Sequence, residues 1–291
     1  MTAVVEITSG IVRDLPEHVY HSQPALSSTE ARLLLDSPAK YRWKKDHPPL
    51  IAASKKFDVG SAVHSKVLGT GYDAVVIPAD LLASNGAVST KAAKEWVEAA
   101  RAQGQIPLKA EEFDPIDAQA EAVLAHVGAR QLFAQPGEAE VSVFATDPAT
   151  GVAVRARFDF LPVDARDTQP SRVAVDLKTA RDASPAGFTR SIADYGYDVQ
   201  RSWYLDDLRF LTGEVAEMVF VAVEKDPPYL VAVHQLPTVW AEMGNTKARK
   251  ARELYAECTE ANHWPGYGDE VHLLTPPTWL IYQHEERFPN D

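Results

Sequence analysis

Asp176 and Lys178 stand one residue apart in the otherwise apolar run VAVDLKTA (173–180), and Asp159 lies 17 positions earlier in VAVRARFDF. Burying charges is unfavourable unless they are paired or hold an ion, so this placement calls for a use. In a strand, alternate side chains share a face. Val173, Val175 and Leu177 therefore point one way, and Ala174, Asp176 and Lys178 the other. Likewise Val154, Ala156, Phe158 and Phe160 line one face, and Arg155, Arg157 and Asp159 the opposite one. A hairpin centred on the 163–171 loop sets Asp159 opposite Asp176, with Cβ atoms about 5 Å apart. Two carboxylates so placed can grip one hard cation, and Glu140, or Glu138 on the same face, adds a third acid. Carboxylate oxygens suit Mg²⁺ or Mn²⁺, and such an ion lowers the pKa of bound water and stabilises phosphoryl charge. Lys178, about 7 Å along the strand from Asp176, is placed to hold an attacking water or offset phosphate charge. The same D-x-K spacing also fits a plain Asp–Lys or Asp–Arg ion pair at a solvated strand edge.

The elements that must position these groups are legible in the periodicity. EAEVSVFATD and GVAVRARFDFLPV alternate with a period of two around the turn TDPATG, and RVAVDLKTA follows, which predicts a three-strand meander. YDVQRSWYLDDLRFLTG reads as a helix stopped by Gly213. AEMVFVAVEK and YLVAVHQL read as strands joined at DPPY, and residues 238–260 as a further helix. Upstream, Ser27 and Glu30 have capping-box spacing at the start of LSSTEARLLLDSPAKYRW, with Pro38 as the next break. Helices are also expected over 58–69, 90–103 and 114–134. There is no internal repeat or clear linker. The expectation is a single α/β (α+β) domain over 1–291, mainly helical in 1–135, with the sheet core in 136–291.

Bulk properties exclude several classes. The 291 residues are 45% hydrophobic and 24% charged, as in an ordinary soluble globular protein. Cys258 is the single cysteine, which excludes a disulfide framework within the chain, and fits a reducing, cytoplasmic setting. No signal peptide is read in MTAVVEITSG, and no apolar run approaches the ~20 residues of a membrane span, so no membrane partner is expected. The net charge of −12 argues against non-specific coating of nucleic acid, though not against a local basic groove.

The whole pattern resembles the PD-(D/E)xK nuclease superfamily, and within it the nuclease domain of RecE-type (exonuclease VIII) phage and prophage exonucleases. The resemblance is carried by YHSQPALSSTEARLLLDSPAKYRW, GSAVHSKVLG, EVSVFATDPATGVAVRARFDFLP, AVDLKTA, YDVQRSWYLDD, VEKDPPY and WPGY…LLTPPTW, in the family's order along nearly the whole chain. It implies a restriction-endonuclease-like core, a mixed central sheet flanked by helices. It makes Asp159 and Asp176 the metal-binding acids and Lys178 the catalytic lysine. His64, Glu140 and the Leu177 backbone carbonyl become further metal ligands, and Gln200 and Tyr204 of the Q-x-x-x-Y helix face the active site. Taken from the residues alone, His64 also reads as a structural histidine, and Tyr204 as a core residue beside a solvated Gln200. A single cysteine excludes the iron–sulfur variant of related nucleases. The resemblance further implies an Mg²⁺-dependent 5′-to-3′ exonuclease acting on linear double-stranded DNA ends. Its product would be 3′ single-stranded tails for a RecT-type annealing protein, and the enzyme a ring-like homotetramer in the cytoplasm of a bacterial host. The long N-terminal region of RecE proteins has no counterpart here, so nothing is carried over from it.

DNA binding also needs cations. Lys40, Arg42, Lys44 and Lys45 flank Tyr41 and Trp43, a mixture suited to phosphate contact and base stacking. Arg155 and Arg157 lie beside the acids, and Lys247, Arg249, Lys250 and Arg252 form a later cluster. Each also reads as a solvated face or, for the two strand arginines, as charge balance. The competing functional class is a non-catalytic nucleic-acid-binding or assembly protein on a nuclease-like fold, which predicts a lost acid or lysine; Asp159, Asp176 and Lys178 are all present. A sugar-cleaving carboxylate pair explains neither the lysine nor the basic clusters.

Overall fold

The structure, a computed structural model, describes residues 6–47, 55–70, 74–163 and 170–289, with the backbone alone over 55–59. The first five residues and most of the 163–171 loop, on which the expected hairpin is centred, lie outside the described residues. In chain order the elements are β1 (Gly10–Val12), α1 (Glu17–Ser22), β2 (Leu26–Ser27), α2 (Ser28–Asp36), α3 (Pro38–Asp46) and α4 (Lys55–Leu68). Next come β3 (Ala74–Val76), α5 (Lys91–Ala102), β4 (Ile106–Leu108), α6 (Ala110–Ala125) and α7 (Val127–Phe133). The sheet core follows as β5 (Gly137–Thr146), β6 (Ala153–Pro162), β7 (Arg172–Ala180), α8 (Pro185–Tyr195), α9 (Tyr197–Thr212), β8 (Ala216–Glu224) and β9 (Val231–Gln235). The chain closes with α10 (Thr238–Ala261) and α11 (Thr278–Arg287).

The strands run β1-β5-β6-β7-β8-β9, with β2 parallel beside β6. β5, β6 and β7 form the antiparallel meander that the alternation predicts. β7 and β8 are parallel, and α8 and α9 supply the crossover connection that this pairing requires. On one face Val175, Leu177, Val219, Val221 and Val223 pack against α4 and α6 through Val63, Ile116 and Val123. On the other, Ala174, Met218, Phe220 and Ala222 pack against α8 and α9 through Phe188, Ile192 and Leu208. The α9–α10 contact is close because Gly244 has no side chain; a Cβ there would collide with the Asp198 carbonyl. The Ser27–Glu30 capping box forms, with both reciprocal bonds present, and is worth about 1 kcal/mol. Among the described residues no helix is long and apolar enough to cross a membrane.

Three expectations need correction. Phe160 does not share a face with Phe158: Phe158 packs towards α9, whereas Phe160 packs in the α4–α6 cluster, its ring 5.9 Å from that of Phe133. The reason is Glu140, whose φ of +53° breaks the pleat of β5. Cross-strand pairing runs through 141↔158 and resumes at 139↔160, and Glu140 and Asp159 are the opposed residues between them. The helix expected over 114–134 is two helices, because His126 ends α6 and caps α7 by accepting the Ala129 N–H at Nδ1, 3.2 Å away. Finally, the mainly helical N-terminal portion also contributes strands β1 and β2 to the central sheet.

Candidate active site

β6 and β7 part company where the acids stand. Their ladder records the single pair Phe160↔Val175, and Asp159 and Asp176 are the next residues along each strand, just beyond the recorded pairing. There the Leu177 N–H donates to Asp159 Oδ2 at 2.7 Å, so a side chain stands in for a backbone acceptor and the strands splay. Into this mouth α4 sends His64, whose Nδ1 is 3.5 Å from Asp159 Oδ2. Glu140 enters from β5, aimed by its left-handed backbone. His64, Glu140 and Asp159 each offer a ligand atom, and these lie within 4.8 Å of one another. Glu138, the other candidate acid, is instead turned to Arg13 at 2.6 Å.

The electrostatics of the cluster favour a cation. Burial, and then the neighbouring Asp159 charge, pushes the Glu140 carboxyl up to about 7 against the opposing pull of Arg157. Asp159 is raised as well, chiefly by burial. Burial and then Lys178 hold His64 down at about 4, leaving a neutral imidazole, the form that binds metals. A hydrogen bond with the Leu177 backbone acts in the opposite direction on His64. Such a bond favours imidazolium only if a carbonyl accepts it, which puts the Leu177 carbonyl against the histidine.

Asp176 is committed differently. Its carboxylate is 1% exposed, with Oδ2 2.6 Å from Lys178 Nζ and Oδ1 accepting from Gln200 Nε2 at 2.6 Å. Burial raises it to about 6 despite Lys178. The lysine feels burial pulling its pKa down, but Asp176 and Asp159 together outweigh this and raise it, so the ammonium stays charged. Its Nζ lies 4.9 Å from the centre of the Tyr197 ring. Gln200 and Tyr204 divide the two readings of their helix. Gln200 is buried against Asp176, while Tyr204 packs edge-on to Phe158 in the core, 5.2 Å between rings. Burial drives the Tyr204 phenol far above its ordinary range, and a hydrogen bond links it to Gln200.

The cations fare unevenly as DNA ligands. Arg155 is 3% exposed and donates to the Gln23 and Ala25 carbonyls and to Glu30, so it ties the α1–β2 connection and α2 to β6 and cannot meet a phosphate. Arg157 donates to Ser142 Oγ and the Leu15 carbonyl and lies 3.9 Å from Glu140, which makes it charge balance for the acids. Lys40, Arg42 and Lys45 are paired with Asp36, Asp46 and Glu30; Lys44 is exposed on α3. The later cluster is spent within the fold: Lys247 on Asp198, Arg249 and Lys250 on Glu253, and buried Arg252 on Asp147 and Asp206.

Sequence reasoning missed Arg32. Among the described residues its Nε is buried without a hydrogen-bond partner, its Nη2 donates to Thr29 Oγ1 at 3.1 Å, and it makes no ion pair. Burial lowers its pKa against the pull of Tyr204, Tyr197 and Asp198. It rests on the α8–α9 corner, where Gly196 leaves it room: a Cβ there would lie 2.5 Å from Arg32 Cδ. The next residue is Tyr197, beside Lys178. The signal was masked because Asp36, at i+4, looks like its natural partner, whereas Asp36 pairs with Lys40.

With this geometry in hand, comparison with known proteins is informative. Residues 27–276 match the family model described as a PDDEXK-like domain of unknown function (DUF3799). No curated protein matches the chain. Among solved structures, a protein of Eubacterium rectale described as a "putative exonuclease" aligns at 12% identity with a TM-score of 0.56. That alignment covers 93% of this chain and 98% of the other, and it shows a shared fold. The structure of SSO0001 aligns at 15% identity over 67% of this chain and 83% of the other, with a TM-score of 0.27, and carries no argument.

Proposed function

The chain belongs to the DUF3799 family of PDDEXK-like domains, and from that premise we propose that it is a divalent-metal-dependent deoxyribonuclease hydrolysing phosphodiester bonds. The observation that carries the reading is the convergence of His64, Glu140 and Asp159 within 4.8 Å, beside the buried Asp176–Lys178 pair. The two carboxylates suit Mg²⁺ or Mn²⁺, as does the Leu177 carbonyl in the same mouth, and the neutral imidazole adds a nitrogen ligand. Asp176, which is paired with Lys178, stands beside this set. A divalent ion held there supplies Lewis acidity, lowering the pKa of a coordinated water and offsetting phosphoryl charge.

The chain's own residues do the rest. Asp159 is fixed by the Leu177 N–H, and Gln200 pins one oxygen of Asp176 so that the other faces Lys178. The Lys178 ammonium then donates to the attacking water or to a non-bridging phosphate oxygen. Tyr204 and Phe158 close the floor beneath Gln200 against water. Arg32, a half-buried cation with no ion pair among the described residues, takes a neighbouring phosphate of the strand. Following the RecE-type resemblance, the substrate is the end of linear duplex DNA, digested 5′ to 3′ to leave 3′ tails for a RecT-type annealing partner. The name borne by the Eubacterium rectale neighbour points the same way.

The test incubates the purified protein with end-labelled linear and closed circular duplex DNA, in Mg²⁺ or in EDTA. The reading expects metal-dependent loss of the linear DNA and survival of the circle. No loss, or equal loss with Asp159→Asn, rejects the nuclease; cutting of the circle rejects the exonuclease.

A further inference from the structure

An aromatic column runs from the core to the lip of the candidate active site. His234 stacks on buried Phe188, their ring centres 4.5 Å apart and their planes at 10°, and Phe188 lies 5.7 Å from Tyr197. Tyr197 also stacks on buried Phe220 of β8, at 5.7 Å and 23°. Its neighbour on the outer side is Tyr195, at 5.8 Å and 29°. These are the spacings of offset-stacked rings. The two tyrosines meet because Gly196, between them, turns α8 into α9 through a left-handed backbone with φ of +63°. Tyr195 is 59% exposed and is the outermost ring of the column among the described residues. An exposed tyrosine is ordinary by itself. This one stands one ring beyond Tyr197, whose centre is 4.9 Å from Lys178 Nζ, and next to the glycine on which Arg32 rests.

We propose that Tyr195 is a base-binding residue: its ring stacks on an unpaired nucleobase of the strand being cut, one or two nucleotides from the phosphate met by Lys178. This contact rests on the nuclease reading and gives it a substrate feature, a strand that enters with its bases exposed. Inside a duplex both faces of a base are covered by its neighbours, so a protein ring can cover only a base that is unpaired or splayed out. The column is built for such a contact. Phe188 and Phe220 hold Tyr197 from within, so little side-chain freedom remains to be lost when a base lands on the outer ring. Lys178 and Arg32 offer cations for phosphates and Tyr195 a flat apolar face, so one corner meets both halves of a nucleotide. Asp194, the residue before the ring, is an exposed acid, which suits a meeting with a base rather than a phosphate. Every base has a π-face, so the contact is tolerant of sequence.

The test uses labelled single-stranded oligonucleotides carrying one abasic nucleotide, moved stepwise along the strand. Affinity is read by fluorescence anisotropy with Ca²⁺ in place of Mg²⁺, and degradation is followed separately in Mg²⁺. Wild-type affinity should fall about tenfold when the abasic nucleotide reaches one particular position, the loss of a single base stack. Tyr195→Ala should bind intact DNA about tenfold more weakly and be indifferent to that abasic position, while Tyr195→Phe, which keeps the ring, should match the wild type. The salt dependence of affinity should be the same in all three proteins, because no charge is removed. Both variants change an exposed side chain, so their melting temperatures should equal that of the wild type. The proposal is overturned if no abasic position weakens the wild type, if Tyr195→Ala is weakened again by the abasic nucleotide, or if Tyr195→Phe behaves as Tyr195→Ala. Degradation in Mg²⁺ without this coupling rejects the base contact alone. Coupling without any degradation keeps the base contact and rejects the nuclease.

Discussion

Asp159 Oδ2 accepts the Leu177 N–H at 2.7 Å, so the side chain of one strand completes the backbone of the next at the point where they separate. A carboxylate used this way is fixed in orientation, and its remaining acceptor capacity faces His64 and Glu140. The mouth between the strands and the acid at its lip are thus one structural feature.

Asp159→Asn should separate folding from chemistry. An asparagine oxygen still accepts the Leu177 N–H, while the charge that raises Glu140 disappears. Glu140 should then titrate below its present value of about 7, and the metal-free protein should melt no lower, and at pH 8 slightly higher, than the wild type. Metal-dependent hydrolysis should fall by about 10³-fold or more, equivalent to several kcal/mol of lost transition-state stabilisation. Calorimetry beside a DNA-degradation assay checks both; a large drop in melting temperature would refute the account of Asp159.

Lys178→Met removes the cation that faces Asp176 at 2.6 Å and leaves a buried carboxylate alone. Its pKa should climb above about 6, so the variant carries a protonated Asp176 at neutral pH. Activity should drop about 10²–10⁴-fold. Stability should fall more steeply than in the wild type between pH 6 and 8, since a folded pKa above the unfolded one gives stability that is lost as pH rises. Chemical unfolding across that range would expose a wrong assignment as parallel pH profiles.

How much of this was legible in the sequence depends on the range of the forces involved. That Asp159 and Asp176 come near one another on neighbouring strands follows from two-residue alternation and one hairpin, both local, though the recorded pairing stops at Phe160↔Val175, one step before them. The left-handed backbone at Glu140 leaves no trace, because the residue is not a glycine and the distortion belongs to the paired ribbon. Arg155 read as a free cation on a polar face because its acceptors, the carbonyls of Gln23 and Ala25, arrive from the irregular connection between α1 and β2, which has no periodicity to detect. Gln200 was findable as a partner of its helix mate Tyr204, but its bond to Asp176 depends on how the crossover seats α9 on the sheet.

The metal-free protein should lose stability as pH rises from about 6.5 to 8, above the range in which His64, held at about 4, gives the opposite trend. Glu140 titrates at about 7 and Asp176 at about 6, both above ordinary carboxylates, so the folded state binds more protons than the unfolded chain over that window. Stability from these groups is present below the unfolded pKa and lost on passing the folded one. Mg²⁺ or Mn²⁺ should reverse the trend, because a cation favours the charged acids: the metal-induced rise in melting temperature should be small at pH 5.5 and larger at pH 8. A metal shift that shrinks with pH would sink the assigned ligand set.

Arg32→Ala should weaken DNA binding without touching the metal site. Among the described residues the guanidinium has no ion-pair partner and rests on Gly196, next to Tyr197 and hence beside Lys178, which places it to meet a phosphate of a bound strand. Losing one charge-assisted contact of this kind should raise KM for duplex DNA about tenfold with kcat little changed, and should flatten the dependence of affinity on salt by about one counterion. Arg32→Lys keeps the charge but not the fork geometry, and should recover part of the affinity. The metal-induced shift in melting temperature should match the wild type in both variants, since neither alters His64, Glu140 or Asp159. A fall in kcat with unchanged KM and salt slope would place Arg32 outside the DNA path and make it a packing residue of the α8–α9 corner.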